Sequence, residues 1–217
     1  DSPIIGSYYG ELLKDLTAKN HIREIPTEAA TGKYTAWDLG VSDSTSIWVA
    51  ETIGGEIRIM DYYEDHGQGL DHYIAWLDEN KYRDYTHILP HDVMVRELQT
   101  GKSRYEFLTD AGLNIDVAPK AGVEDGIMAV RKMLPNCYFN KDTTKFGLEC
   151  LRNYRRVFNE KLSVYQEKPL HDWSSHSADA FRYLAVGIDT SGNMKRTNWT
   201  QPFDTTYDGE SYKNQYM

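Results

Sequence analysis

Three aspartates combine residue type and spacing in a way that suggests chemistry. Asp38 interrupts an apolar run with strand character, where a charge is costly unless it is paired or bound to a metal ion. Asp92 follows directly after a second short apolar run, and α/β sheets build their sites at such strand ends. Asp179 lies in the last helical pattern between the small residues Ala178 and Ala180, so this turn can pack close to a sheet.

Carboxylates that converge in this way bind hard divalent cations such as Mg²⁺ or Mn²⁺, with water completing the coordination shell. Two such ions about 3.5–4 Å apart activate a water molecule and stabilise the leaving oxygen of a phosphodiester, without a covalent nucleophile. Taken alone, Asp92 is equally a turn residue and Asp179 equally a surface acid of a helix. The three therefore predict a metal site only together, with the first and fourth strands adjacent and the last helix above them.

Hydrophobic periodicity predicts the elements that must position these aspartates. Three consecutive antiparallel strands are expected at 34–39, 44–52 and 56–63, and Gly54-Gly55 is the hairpin signal between the last two. Helices are expected at 70–80, 104–110, 123–134, 142–159 and 174–186, with short strands at 87–89 and 113–118. This order predicts an α/β fold, a mixed β-sheet with helices on its faces.

The two ends of the chain differ from this pattern. An amphipathic helix is expected at 7–20, with Ser7 as its N-cap, and a polar segment follows to residue 33. We expect residues 1–33 to form a linker outside the core of a domain at 34–190. The polar segment 191–217 has no helical period and is expected to be a poorly ordered or docking tail. The first residue is Asp rather than Met, which favours an excised or processed fragment.

The formal net charge of -9 disfavours nucleic acid as a partner on bulk electrostatics alone. Clustered metal-binding carboxylates would lower the total charge, and DNA contact would then depend on local basic residues. The candidates are Lys102, Arg104, Lys141, Lys145, Arg152, Arg155 and Arg156, the last three expected on one side of a helix. A solvated helix face explains them equally well.

Several other functions are disfavoured. Cys137 and Cys150 fit neither a zinc pattern nor a disulfide framework, so we expect two reduced, buried thiols. Gly101-Lys102-Ser103 resembles the end of a phosphate-binding loop, but Arg96 stands where that loop needs glycine, so ATP binding is not expected. No apolar run is long enough to span a membrane, and the polar start of the sequence, broken by Pro3 and Gly6, is not typical of a signal peptide.

Three further residues are candidates to support the aspartates. Lys120 follows a strand end and is expected to contact the scissile phosphate or the attacking water, with a plain surface lysine as the alternative. His176 shares a helix face with Asp179 and either holds it, joins the metal shell, or has a capping or core role. Asp43 is either an acid behind the metal ligands or an ordinary turn residue.

These motifs resemble the C-terminal nuclease domain of tailed-phage terminase large subunits. The resemblance spans roughly residues 34–188, and its matching segments are 37–40 with Asp43 and Thr45, 89–92, 118–120 with 126–127, and 171–183. The last segment is the most specific. The resemblance implies an RNase H-like fold in which Asp38, Asp92 and Asp179 bind two Mg²⁺ or Mn²⁺ ions.

The same resemblance implies an endonuclease that cuts double-stranded viral DNA concatemers during genome packaging in the host cytoplasm, with little sequence preference. The implied partners are DNA, a packaging ATPase domain in the same full-length chain, the portal and the small terminase subunit. Two alternatives stay open. One is another RNase H-like nuclease, such as a resolvase or transposase core, and the other is a non-catalytic packaging module that binds DNA or portal.

Overall fold

The structure is a computed structural model that describes residues 4–40, 44–96, 101–159 and 161–188. Its strands are β1 (Ile22–Arg23), β2 (Gly32–Asp38), β3 (Ser44–Ile53), β4 (Glu56–His66), β5 (Thr86–Leu89), β6 (Asn114–Val117), β7 (Cys137–Asn140), β8 (Arg156–Asn159) and β9 (Val164–Pro169). Its α-helices are α1 (Gly10–Ala18), α2 (Leu70–Glu79), α3 (Arg104–Asp110), α4 (Val123–Met133), α5 (Lys145–Asn153) and α6 (Ser175–Gly187).

A seven-stranded mixed sheet in the order β1-β7-β4-β3-β2-β5-β6 is the centre of the fold. The predicted antiparallel meander β2-β3-β4 is confirmed, and Gly54 and Gly55 form its hairpin with φ of 55° and 94°. β5 and β6 extend the meander in parallel on one side, and β7 and β1 do so on the other. The first and fourth predicted strands, β2 and β5, are therefore neighbours.

Successive residues of a strand point to opposite faces of the sheet. Both faces carry apolar side chains, and helices cover both of them. Trp48 packs with Phe181 on the face that carries α1, α4, α5 and α6. Trp37 packs with Tyr73 on the opposite face, which carries α2 and α3. The helices therefore divide into four that cover the first face and two that cover the second.

The expectation that residues 1–33 lie outside the core is wrong for α1 and β1. Leu13 in α1 is fully buried, and β1 pairs in parallel with β7 at the sheet edge. Ser7 is not the N-cap of α1, which is Tyr9, but the Ser7 hydroxyl accepts a hydrogen bond from the Gly10 N–H at 3.0 Å. The apolar face of this helix is covered by the domain itself.

The single helix predicted at 142–159 is also wrong. α5 ends at Asn153, and the chain continues into the two-stranded antiparallel sheet β8-β9. Tyr154 turns out of the helix with ψ of 112° and buries its ring against Tyr8 and Tyr9. Strand β7 was not predicted. The expected tail at 191–217 lies outside the described residues, and no described helix has the length and apolar character needed to cross a bilayer.

Candidate active site

The sheet topology brings the first two predicted aspartates to one edge. β2 and β5 run in parallel with Ala36 opposite Ile88, so their carboxyl ends lie side by side. Asp38 is the last residue of β2, and Asp92 lies in the short 3₁₀ helix His91–Met94 that follows β5. This is the arrangement of adjacent strand ends at which open α/β sheets place ligands.

Helix α6 lies over this edge and carries the third predicted aspartate. The His176 Nδ1 and Asp38 Oδ2 atoms are 2.9 Å apart, and with Asp38 ionised the imidazole Nδ1–H is the donor. The Trp48 indole N–H donates to the Ser177 carbonyl oxygen at 2.8 Å, which fixes the start of α6 to β3. His176 therefore contacts Asp38, and its expected role of holding Asp179 or joining a metal shell stays a prediction.

The surroundings of Asp38 disfavour its negative charge. Burial is the main cause that raises the pKa of Asp38, and the negative charges of Asp179 and Asp92 raise it further. The hydrogen bond from His176 acts in the opposite direction. Burial likewise raises the pKa of Tyr183 to about 12, again with a contribution from all three aspartates. The edge of the sheet is therefore a site of concentrated negative charge.

Asp179 is paired with a permanently charged side chain. Arg182 donates from Nη2 to Asp179 Oδ1 at 2.6 Å, and the Tyr154 hydroxyl lies 3.5 Å from the same oxygen. Within the described ranges, no three His, Cys, Asp or Glu side chains are arranged closely enough to share a metal ion. The carboxylates are therefore neighbours that do not form a finished coordination cage, although oxygen donors of this kind fit Mg²⁺ or Mn²⁺.

The other two supporting candidates, Lys120 and Asp43, and the nearby Asp172 differ in what the structure shows of them. Lys120 is exposed in the segment after β6, and β6 ends at the same edge as β5. Asp43 lies outside the described residues. Asp172 organises the turn into α6, because its Oδ1 accepts hydrogen bonds from the Ser174 N–H at 2.9 Å and from the Ser174 hydroxyl at 2.6 Å.

The basic residues predicted to contact DNA mostly have protein partners. Arg155 and Arg156 lie beyond the end of α5, so the expectation that they share a helix face with Arg152 is wrong. The ion pairs are Lys102–Asp110 at 3.0 Å, Lys141–Glu24 at 3.2 Å, Arg152–Glu149 at 2.8 Å and Arg155–Asp172 at 3.7 Å. Arg156 lies over the rings of Tyr8 and Tyr165, and Lys145 and Arg104 begin α5 and α3.

A fourth acid near the site was not predicted from the sequence. The register of the meander places Ser46 opposite Asp38 and Glu64 opposite Ser46, so the three share one face of the sheet. Glu64 Oε2 accepts hydrogen bonds from Ser46 Oγ at 3.1 Å and from the Tyr62 hydroxyl. A cleft of about 320 Å³ is lined by Glu64 and His176 together. Only the strand register reveals this neighbour.

Known proteins resemble this chain in structure rather than in sequence. No protein-family model and no curated protein matches it. The large terminase of a thermophilic bacteriophage, in complex with ADP, matches with a TM-score of 0.64 and 19% identity, over 82% of this chain and 44% of that one. The chain thus spans less than half the length of that protein.

Separate nuclease domains match over most of their length. The large terminase nuclease from thermophilic phage G20c with bound magnesium gives a TM-score of 0.57 and 15% identity, over 86% of this chain and all (100%) of that one. The nuclease domain of g2p, the large terminase of bacteriophage SPP1, with bound Mn gives a TM-score of 0.55 and 20% identity, over 75% of this chain and 92% of that one. The chain has the fold of a large terminase nuclease domain. The predicted RNase H-like class, a mixed sheet flanked by helices, is confirmed.

Proposed function

We propose that this chain is a metal-dependent endonuclease that cuts double-stranded viral DNA concatemers during genome packaging. The observation that carries the proposal is the meeting of Asp38 and Asp92 at adjacent strand ends beneath the helix that bears Asp179. The terminase nuclease fold supports it, because related domains have been solved with magnesium and with Mn.

In this proposal Asp38, Asp92 and Asp179 hold two Mg²⁺ or Mn²⁺ ions, which when bound supply an activated water and stabilise the leaving oxygen. His176 orients the buried Asp38 carboxylate through its Nδ1. Lys120, at the same edge of the sheet, contacts the scissile phosphate. The protein itself would need no nucleophile, since the attacking group in this proposal is a water molecule.

DNA binding in this proposal uses phosphate contacts from the basic residues already named. Two of them, Lys102 and Arg104, line a cleft of about 580 Å³ beyond the end of β2. Contacts of this kind carry little sequence information, so we infer weak sequence preference. The further partners are a packaging ATPase domain in the same full-length chain, the portal and the small terminase subunit, in the host cytoplasm.

The test is cleavage of supercoiled plasmid by the purified chain with Mn²⁺ or Mg²⁺. We expect nicking and linearisation that EDTA prevents and that Asp38→Asn, Asp92→Asn and Asp179→Asn each abolish while the protein stays folded. Because the three residues act as one site, double substitutions add nothing to the loss. Asp78→Asn is the matched control, since Asp78 lies on α2 and pairs with Arg83. Full activity in any of the three variants removes that residue from the site.

One observation favours a second function, a non-catalytic module that binds DNA or portal. Asp179 is ion-paired with Arg182, and the described residues contain no preformed group of three metal ligands. Such a module would bind DNA without cutting it at any Mn²⁺ concentration. Plasmid binding in a gel-shift assay together with cleavage no greater than that of Asp38→Asn selects this alternative.

A further inference from the structure

A nearly buried arginine contacts the third aspartate of the proposed site. The Arg182 side chain is 10% exposed, and its Nη2 lies 2.6 Å from Asp179 Oδ1. We propose that Arg182 is a positioning residue, which holds Asp179 through Oδ1 so that Oδ2 is the oxygen offered to a divalent metal ion at the proposed site. This inference rests on the proposed function and adds a residue to it.

The burial of Arg182 argues for a specific role. A guanidinium loses its hydration when it is buried, and an apolar side chain of similar volume often stabilises such a position equally well. Arg182 Nε has no hydrogen-bond partner among the described residues, so the contact with Asp179 is the main recorded compensation for its burial. A buried charge kept with so little compensation is better explained by what it does to Asp179 than by stability.

The contacts of Asp179 fix one of its two oxygens. Arg182 and the Tyr154 hydroxyl both reach Oδ1, and Oδ2 takes part in neither contact. The Tyr154 ring is itself held by Tyr9, which stacks on it with centroids 5.8 Å apart and an interplanar angle of 20°. Metal-binding carboxylates are commonly oriented by hydrogen bonds of this kind from residues that do not touch the ion.

Helix α4 restricts the arginine from the other side. A Cβ added at Gly126 would lie 3.1 Å from Arg182 Cδ, 3.2 Å from Nη1 and 3.3 Å from Cβ. These distances are below ordinary van der Waals contact, so only glycine lets the guanidinium lie against α4 without a shift. Gly126, Arg182 and Asp179 therefore form one chain of contacts from α4 to the site.

The test measures Mn²⁺ binding to the metal-free chain by titration calorimetry, with thermal unfolding in EDTA measured in parallel. We expect Arg182→Met to bind Mn²⁺ about 10- to 100-fold more weakly, the range found when residues that orient metal ligands are removed. Arg182→Lys keeps the charge without the planar fork and recovers part of the affinity. Arg131→Met is the matched control, because Arg131 lies over the Tyr8 ring and hydrogen-bonds to the Tyr8 carbonyl oxygen and the Met128 sulfur rather than to a carboxylate.

The outcomes separate the possibilities. A structural ion pair would lower the unfolding temperature of Arg182→Met and leave the Mn²⁺ affinity of the folded protein unchanged, which overturns the proposal. Tighter Mn²⁺ binding would show that Arg182 competes with the metal, which overturns it too. If Arg182→Met does not fold, Gly126→Ala decides, since it displaces the guanidinium with every charge kept, and unchanged affinity there refutes the positioning role.

The failure of the proposed function is distinguishable from the failure of this inference. Mn²⁺ binding that Asp38→Asn removes and Arg182→Met leaves intact keeps the nuclease proposal and rejects the positioning role. A wild-type chain that binds no Mn²⁺ rejects both. Weaker binding in Arg182→Met without any DNA cleavage by the wild type supports positioning at a metal site whose chemistry is not nucleolytic.

Discussion

Gly147 marks the closest approach of α5 to the sheet, and Gly147→Ala tests how tightly that contact is packed. An added Cβ would lie 2.3 Å from Trp48 Cη2, 2.6 Å from Trp48 Cζ2 and 2.8 Å from Tyr62 Cγ. The Trp48 ring cannot turn away, because it is fully buried and its indole N–H is bonded to the Ser177 carbonyl. Helix α5 must therefore move away from the sheet.

Two effects of opposite sign set the size of the change. Overpacking a rigid core costs typically about 1–3 kcal/mol, and three contacts under 3 Å place this site at the upper end, about 3 kcal/mol. Replacing glycine by alanine inside a helix contributes about 1 kcal/mol of stability. The net loss is about 2 kcal/mol, which for a domain of this size lowers the unfolding temperature by about 4–8 °C.

The measurement is thermal unfolding by scanning calorimetry, compared with Gly69→Ala, where an added methyl group meets no atom within 4 Å. We also expect weaker DNA cleavage from Gly147→Ala, because the Trp48 ring holds Ser177, which lies between His176 and Asp179 in α6. An unfolding temperature equal to or above that of the wild type would refute the packing argument. A lower temperature with unchanged cleavage would show that α6 does not depend on this ring.

Three further predictions concern buried polar groups. His87 is buried, and its Nδ1 lies 2.7 Å from Thr35 Oγ1. Burial lowers the pKa of His87, so the free energy of unfolding should fall as pH drops below about 6.5. The slope is at most about 1.36 kcal/mol per pH unit. In urea titrations at several pH values, the free energy of unfolding of His87→Gln should lose this pH dependence. Parallel curves of this free energy against pH for wild type and variant would contradict the prediction. Tyr85→Phe should cost about 1–3 kcal/mol in the same assay, because it removes the hydroxyl partner of the buried Glu51, and a neutral result would mean that water replaces the bond. Tyr9→Phe should leave thermal stability unchanged or raise it by up to about 1 kcal/mol, because this hydroxyl has no recorded partner; a clear loss would reveal one.

The elements that sequence patterns predicted well are those whose signal is local. The β2-β3-β4 meander follows from alternation and a glycine pair, and α6 follows from helical spacing of apolar residues. β1 has two residues, too few for a period, and both β1 and β7 pair with strands that are distant in sequence. Local patterns carry no information about such pairings.

The error at 142–159 has a tertiary cause. Apolar residues at helical spacing continue past Asn153, so the pattern predicts a longer helix than the structure contains. The ring cluster of Tyr8, Tyr9 and Tyr154 ends the helix, because Tyr154 reaches these partners only when the chain leaves the helical path. Helix propensity is a weak preference that packing of this kind overrides.

Sequence patterns indicated the three candidate acids and His176, but not Arg182 or Glu64. Strand ends and a helix with small neighbours indicated Asp38, Asp92 and Asp179, since these signals are local. Arg182 is three residues after Asp179, but nothing in the sequence distinguishes a buried arginine from a solvated one. Glu64 shares a face with Asp38 only through two strand registers, which single-sequence reasoning does not supply.

The net charge of -9 affects DNA binding mainly through the ion pairs that individual basic residues make with acids, rather than through the total charge of the chain. Four of the basic residues predicted to contact DNA have carboxylate partners, namely Lys102, Lys141, Arg152 and Arg155. Exposed ion pairs of this kind contribute about 0–1 kcal/mol, so a DNA phosphate can replace the carboxylate at little cost. Each replacement nevertheless leaves an unpaired carboxylate near the DNA. Its repulsion of the phosphates lowers the binding free energy gained per contact. Under the proposed function we therefore expect each phosphate contact of this chain to be weak, so that binding of DNA would depend strongly on divalent ions.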